Sequence, residues 1–407
     1  MEVLYPRCAG LDIHAQSVTA CLRLAADAEV TYQHRTVPTT TAGLLTLAGW
    51  LEAAGCTHVA MEATGVYWKP VWHVLEGPFT LILANAQHIR NVPGRKSDVN
   101  DATWIADLLA HGLIRSSFVP PAPIQALRDL TRTRKQLVGE IARHTLRIQK
   151  TLEDANLKLT HVVSDLLGTS GRALLRALIA GETDPERLVA VTTGRLKAPH
   201  AQLVAALHGR PTAHHRFLIE LHLTQIEALE AAVQKLERHL GDALAPFRAA
   251  VDLLITMPGL SETAARVLVA EIGTDMTRFP TAGHLVSWAG LCPRLDTSAG
   301  KRYDTRIRHA TPWLKTTLIQ GAWGATRKKG SYLHAQFVRL KSRRGPKKAI
   351  VAVAASMLTA AYFMLRNGVP YADLGGRYFD QRDVEETKKR LLRRLRDLGL
   401  EVEVKAA

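Results

Sequence analysis

The spacing of apolar and polar positions changes along the chain, and each change marks a different kind of element. Up to about residue 118, short β-rich runs alternate with helical patterns. Gly10-Leu11-Asp12-Ile13 opens a strand that Ser17 to Leu24 continues, and Glu29 to Val37 reads as a further strand. Thr41 to Ala54 is patterned as an amphipathic helix, and His58-Val59-Ala60-Met61-Glu62 as a short buried strand. Gly65 turns into another helix, and Phe79 to Leu83 is one more strand. Strands alternating with helices predict a mixed α/β sheet covered by helices.

Pro120, Pro121 and Pro123 then punctuate the chain. Beyond them Leu127, Leu130, Leu137, Ile141, Ile148 and Leu152 recur at three- and four-residue steps, a heptad seam interrupted at Arg134 and Thr145. Ile219, Ile226, Leu229, Val233, Leu236 and Leu240 repeat the pattern. An antiparallel coiled-coil arm, a dimerisation element and a plain intramolecular bundle all fit two such helices. The first is rich in Arg128, Arg132, Arg134, Lys135, Arg143, Arg147 and Lys150, as a helix facing nucleic acid would be; a solvated charged face fits as well. A third unit starts near Val251 and carries Met257-Pro258-Gly259-Leu260 between two helical runs. Such a turn resembles a helix-hairpin-helix, whose backbone N–H groups bind phosphate without reading sequence, although Pro-Gly turns also join ordinary helices. From Tyr371 a charged tail follows, with Lys388, Lys389, Arg390, Arg393, Arg394 and Arg396 in one helical run. The expected division is 1–118, an α/β domain; 119–250, a helical arm; 251–368, a mainly α domain; and 369–407, a charged helix.

Charge sharpens this picture. The 53 Lys and Arg outnumber the 37 Asp and Glu, a net +16 that attracts a polyanion, nucleic acid foremost. Cys8, Cys21, Cys56 and Cys292 lie far apart, which excludes a thiolate zinc finger and argues against a disulfide framework. The start lacks a signal-peptide pattern, and the apolar run Ala349 to Leu365 is short, alanine-rich and preceded by Lys347 and Lys348. The expectation is a cytoplasmic, nucleoid-associated protein with no membrane partner.

Four acids stand out. Asp12 lies on the first strand and Glu62 ends another. A carboxylate on a buried strand costs several kcal/mol unless a cation neutralises it. Asp98 and Asp101, spaced i, i+3, share one face of a helix starting near Ser97. Four such carboxylates can surround a pair of Mg²⁺ or Mn²⁺ ions and serve phosphodiester chemistry. Taken singly, Asp98 also reads as a helix cap and Asp101 as a surface charge.

Gly10-Leu11-Asp12-Ile13-His14, Met61-Glu62-Ala63-Thr64-Gly65 and Lys96-Ser97-Asp98-Val99-Asn100-Asp101-Ala102 resemble the motifs of the DEDD-type insertion-sequence transposases. The resemblance runs from about Cys8 to Gly368. It implies an N-terminal domain similar to the RuvC Holliday-junction resolvase, an RNase H-like fold, with Asp12, Glu62, Asp98 and Asp101 as catalytic metal ligands. It also implies a C-terminal transposase domain with a serine nucleophile. Pro293-Arg294-Leu295-Asp296-Thr297-Ser298-Ala299-Gly300-Lys301 matches the serine segment, so Ser298 takes that role from a small-residue loop, and Lys301, Arg306 and Arg308 would stabilise phosphorane charge. Ala299, His309-Ala310 and Pro312 depart from the family pattern. The family further implies excision and insertion of a mobile element, a covalent serine–DNA intermediate, and a structured non-coding bridge RNA that chooses the DNA partners, so that base pairing supplies specificity and backbone contacts supply affinity. Arg339, Lys341, Arg343, Arg344, Lys347 and Lys348 form the densest basic patch and are expected, with Pro258 and Gly259, to touch nucleic acid. The heptads and a site shared across subunits favour a homodimer or homotetramer.

Rival readings are a metal-dependent junction-resolving nuclease that uses the carboxylates only, and a non-catalytic nucleic-acid-binding regulator. An actin-like sugar kinase also opens a strand with Gly-x-Asp, but no second glycine-rich phosphate loop is present and the basic charge goes unexplained.

Overall fold

The computed structural model describes residues 3–26, 29–63, 65–84, 101–193, 198–293, 296–298, 301–304, 307, 312–382 and 384–400. They form two compact units, Met1–Val119 and Pro120–Ala407.

The first unit is built on five strands, β1 (Arg7–Ile13), β2 (Ser17–Ala26), β3 (Glu29–Pro38), β4 (His58–Glu62) and β5 (Thr80–Ala84), in the order β3-β2-β1-β4-β5. β1, β2 and β3 pair antiparallel, while β4 runs parallel to β1 and β5 parallel to β4. The expected continuation of the first strand through Ser17–Leu24 is corrected here. The chain turns at His14-Ala15-Gln16, closed by His14 N–H donating to the Ser17 carbonyl at 2.9 Å, and Ser17–Leu24 returns as β2. A hairpin gives both strands a partner at once, which a single long strand could not.

Helix α1 (Thr41–Ala53) and α2 (Trp68–Leu75) follow β3 and β4. The Thr40 hydroxyl caps α1 by accepting from Gly43 N–H. Ala9, Leu11, Ile13, Val59 and Met61 face these helices with Leu44, Leu47, Leu51 and Leu75 in one core. The opposite face carries Cys8 and Ala60 and is packed by α3 (Asp101–Ala110) through Ile105, Leu108 and Leu109. With helices on both faces, the central strands read as near-continuous apolar runs.

Among the described residues the second unit is helical apart from one hairpin. α4 (Ala122–Asp154) starts with Pro123 in its first turn and runs antiparallel to a second long helix, Ala213–Ala243, as the pairings Arg134–Glu237, His144–His222 and Asp154–His215 require. Between them lie four short helices, α5 (Leu159–Val162), α6 (Thr169–Ile179), α7 (Pro185–Ala190) and α8 (His200–Leu207), so the second long helix is α9. These short helices bury Ile148 and Leu152 of α4 with Ile219, Leu223 and Ile226 of α9. Arg134, an interruption of the heptads, meets Glu237 across the seam, so the apolar pattern breaks where an ion pair replaces it.

α10 (Arg248–Ile255), α11 (Glu262–Ile272), α12 (Ala282–Trp288), α13 (Pro312–Ala325), α14 (Tyr332–Arg344) and α15 (Pro346–Asn367) complete the body, followed by α16 (Tyr378–Arg382) and α17 (Val384–Asp397). α15 is long and apolar enough by length and composition to cross a membrane, with mean hydropathy 1.7 in its most apolar window and half of that window buried. Within this unit it buries Ala349, Val353, Ala354, Met357, Leu358 and Ala361.

Candidate active site and basic surfaces

In the first unit the parallel pairing of β1 with β4 aligns Leu11 with Met61. The next residue on each strand is an acid, so Asp12 and Glu62 stand side by side at the C-terminal ends of the two central strands. Leu11 and Met61 point into the core beneath α1 and α2, which turns Asp12 and Glu62 to the other face, beneath α3. The Asp12 carboxylate is 29% exposed and accepts a hydrogen bond from His14 Nε2 at 3.1 Å.

α3 lies antiparallel to β1: the Ala110 carbonyl accepts from Leu4 and Tyr5 N–H, and Cys8 Sγ donates to the Ala106 carbonyl at 3.6 Å. Gly10 makes the closest approach. A Cβ there would lie 2.2 Å from the Ala102 carbonyl oxygen and 2.4 Å from Ala106 N. The first turn of α3 therefore rests over Gly10, and Asp101, its first residue, falls at the Asp12–Glu62 end of the face. On β2, Arg23 is buried and donates Nε–H to Asp107 Oδ1 at 3.0 Å, where the Tyr32 hydroxyl also donates at 2.8 Å. Burial, and then this bond to Asp107, raise the Tyr32 phenol above its ordinary pKa. The Arg23–Asp107 pair fixes the rotation of α3.

Asp98 lies outside the described residues, and the described helix begins at Asp101. Among the described residues no group of three or more acidic, histidine or cysteine side chains closes around one point that could hold a metal ion. The donor set still suits a hard divalent cation, since Asp12, Glu62 and Asp101 are all carboxylates at one end of one face.

In the second unit Ser298 ends β6 (Asp296–Ser298), which pairs antiparallel with β7 (Lys301–Asp304), Ser298 opposite Lys301. Ser298, expected in a small-residue loop, is the last residue of a short strand. Lys301 is exposed; Arg306, Arg308, Ala299 and His309-Ala310 lie outside the described residues. The Met257-Pro258-Gly259-Leu260 turn joins α10 to α11. Gly259 has φ +86°, and a Cβ there would come within 2.2 Å of the Gly321 carbonyl oxygen on α13. Glycine is required twice, by the left-handed backbone and by the close packing. Pro258 is half-buried, whereas Gly259 is exposed on its outer side. Ser261 Oγ accepts from Ala264 N–H at 3.2 Å and caps α11. Beside this turn a cavity of about 320 Å³ is lined by Thr131, Lys135, Ser261, Arg266 and Gln320, among others.

Residues 9–157 match a DEDD-type family model of IS110 elements described as a transposase, and residues 251–338 match the model described as the transposase IS116/IS110/IS902 family. The chain belongs to the IS116/IS110/IS902 transposase family. Three relatives of this IS110-type chain span different lengths. The insertion element IS110 uncharacterized 43.6 kDa protein of Streptomyces coelicolor is 30% identical over 193 residues, 46% of the chain and 42% of that protein. The putative transposase y4rJ of Sinorhizobium fredii is 28% identical over 265 residues, 62% of the chain and 60% of that protein. The insertion element IS900 uncharacterized 42 kDa protein of Mycobacterium paratuberculosis is 24% identical over 331 residues, 72% of the chain and 80% of that protein. The matched part covers less than two thirds of the first two relatives.

Several basic residues of the first long helix, α4, have partners within the second unit. Glu271 of α11 is fully buried; Arg132 grips it with two hydrogen bonds at 2.8 and 2.9 Å, and Arg128 Nε stands 3.6 Å away. Arg128 also donates to the Ala270 and Glu271 carbonyls. Its burial outweighs the Glu271 charge and holds the guanidinium pKa below its ordinary value. Lys135 donates to Thr316 Oγ at 2.6 Å, and Lys135 and Arg132 both lie against the Trp313 ring. Arg143 pairs with Glu140. Arg343, Arg344, Lys347 and Lys348, by contrast, are exposed at the α14–α15 junction. Sequence reasoning did not identify Glu271 or the helix-seating role of Gly10. The available signals were an acid inside the apolar run Leu268-Val269-Ala270-Glu271-Ile272 and a glycine two residues before Asp12.

Proposed function

We propose that the chain is a transposase-recombinase that cleaves and exchanges DNA strands to excise and insert an insertion-sequence element. The observation that carries the reading is the pair Asp12 and Glu62 on adjacent parallel strands, with the first turn of α3 and Asp101 seated over the same face by Gly10. Asp12, Glu62, Asp98 and Asp101 would hold Mg²⁺ or Mn²⁺, which when bound would polarise phosphodiester oxygens. The sheet order β3-β2-β1-β4-β5 supports an RNase H-like, RuvC-like reading of this unit. The domain division 1–118, 119–250, 251–368 and 369–407, with the paired long helices as a coiled-coil arm, belongs to the same proposal.

Ser298 is the proposed nucleophile. Its Oγ forms a bond to phosphorus as a strand P–O bond breaks and the departing hydroxyl takes up a proton; attack by the hydroxyl of another strand then frees the serine. Lys301, Arg306 and Arg308 would balance charge on the phosphorane, and Pro258 and Gly259 would rest on the phosphate backbone. A structured bridge RNA would choose the DNA partners, and a homodimer or homotetramer, in the cytoplasm at the nucleoid, would bring the ends together.

The test is strand exchange with the element's end junction, its flanking non-coding RNA, target DNA and Mg²⁺, comparing wild type with Ser298→Ala and Asp12→Ala. Loss of exchange in both, with dependence on the RNA, is expected. Exchange that survives Ser298→Ala but not Asp12→Ala would make the protein a carboxylate-only nuclease.

A further inference from the structure

Some basic residues of the second unit meet carboxylates, as in Arg132–Glu271, Arg172–Glu230 and Arg266–Glu262. Residues 327–348 instead hold nine basic residues and no acidic one. Among the described residues, none of these nine forms an ion pair with a carboxylate. The same is true of Lys389, Arg393, Arg394 and Arg396 on α17.

The last helix is two-sided. Lys389, Arg393 and Arg396 follow each other at i, i+4, i+7 and share one face, and Leu391 and Leu395 fall on the other. The tail leading to it is fastened to α14. Tyr332 N–H donates to Asp373 Oδ1 at 2.8 Å, the Phe379 ring stacks on Tyr332 with centroids 5.1 Å apart, and the Arg339 guanidinium lies 5.3 Å from the Phe379 centroid. This clamp ties α16, and through it α17, to the helix that ends in Arg343 and Arg344.

Unpaired cations gathered on neighbouring helices repel one another in the free protein, and a polyanion that binds them relieves the repulsion and releases its own counterions. Cations one turn apart recur about every 6 Å along a helix, a row that suits a line of phosphates. We infer that the α14–α15 junction and the basic face of α17, joined by the Tyr332–Phe379–Arg339 clamp, form one surface that binds duplex DNA through its phosphate backbone, independent of base sequence. This rests on the proposed function for its choice of DNA and goes beyond it in giving the tail a role.

The test uses the full chain and a random-sequence duplex of about 40 base pairs, with binding followed by fluorescence anisotropy across a salt series. One variant carries Lys389→Gln, Arg393→Gln and Arg396→Gln, a second Arg343→Gln, Arg344→Gln and Lys347→Gln. Each should lower the slope of log affinity against log salt by about 2–3 and weaken binding more than tenfold at low salt. All these side chains are exposed, and far-UV circular dichroism should match wild type. A control with Arg143→Gln, Arg176→Gln and Arg187→Gln, exposed cations that already pair with carboxylates, should keep the wild-type slope. Phe379→Ala, which leaves every charge in place, should weaken binding by loosening the tail. Unchanged slopes in the two test variants, or an equal fall in the control, overturn the proposal. So does a fall seen with a structured RNA but not with the duplex, which would assign the surface to RNA. The basic variants leave Asp12, Glu62 and Ser298 untouched and the readout is binding alone, so failure of strand exchange and failure of this surface are read separately.

Discussion

Gly10→Ala tests whether the acidic site depends on how closely α3 approaches β1. The added methyl would sit 2.2 Å from the Ala102 carbonyl oxygen, 2.4 Å from Ala106 N and 3.0 Å from the Ile105 carbonyl carbon, where ordinary contact begins at 3.4 Å. All three are backbone atoms of one helix, so no side-chain rotation relieves the clash. The first turn of α3 must withdraw by about 1 Å. Overpacking of this kind costs about 1–3 kcal/mol of stability. The larger effect is expected on chemistry. Asp101 moves with the turn while Asp12 and Glu62 stay on their strands, and a displacement of about 1 Å in a catalytic constellation can cost roughly a hundredfold in rate. The assay is the Mg²⁺-dependent strand-exchange rate, measured well below the melting temperature and beside a melting curve. Gly49→Ala is the control: a Cβ at this position in α1 meets nothing within 4 Å, so activity should hold and stability should rise by up to about 1 kcal/mol. A folded Gly10→Ala protein working within about threefold of wild type would refute the seating of Asp101 by Gly10, since a 1 Å shift should cost far more than that.

Further expectations follow from the same structure. Glu271→Ala leaves Arg128 and Arg132 around an empty buried site and should destabilise the second unit by about 3 kcal/mol or more, read from chemical denaturation. The His144 and His222 rings meet across the α4–α9 seam with Nδ1 atoms 3.2 Å apart, which needs at least one neutral ring. Burial, then the charges of His144 and Arg147, lower the His222 pKa. A histidine lowered on folding binds its proton more readily when unfolded, so stability should be full at neutral pH and fall as pH drops below the unfolded value near 6.5. His222→Gln should flatten that dependence in melting curves between about pH 5 and 7.5. Mg²⁺ at about a hundred times its Kd should stabilise wild type by about 2.7 kcal/mol, and Asp12→Asn should abolish that shift in thermal melting.

Much of the architecture was legible because local period and local packing agree. The α/β alternation of the first unit, the long helices and the short strand His58–Glu62 all carry periods that packing preserves. The error at His14-Ala15-Gln16 came from judging composition alone. A strand that continues and one that folds back show the same β-branched and apolar residues, and only pairing distinguishes them. The strand Asp296–Ser298 was illegible for a related reason, because Asp296-Thr297-Ser298 is too short and polar to read as a strand until Lys301–Asp304 pairs with it. The Asp12–Glu62 juxtaposition is non-local too. Both motifs are visible, but the register that sets them side by side comes from a parallel pairing across some fifty residues.

Charge is where sequence reasoning reaches its limit. The surplus of +16 supports a polyanionic partner, yet it does not say which cations meet it. Arg128 and Arg132, spaced i, i+4 on an amphipathic helix, look in sequence like a stripe facing DNA. Their actual partner is Glu271, more than a hundred residues away and fully buried. An acid in an apolar helical run needs a buried cation, and an arginine on a neighbouring helix supplies one that stays charged. The balancing charge for that core is therefore drawn from the basic residues of α4. By contrast, residues 327–348 contain no acid that could draw on their charge, so their exposure follows from composition at short range. A run of cations without local acids is thus a better guide to a binding face than the total charge, provided no distant buried carboxylate claims it. The salt-slope comparison between the paired and unpaired sets tests that rule directly.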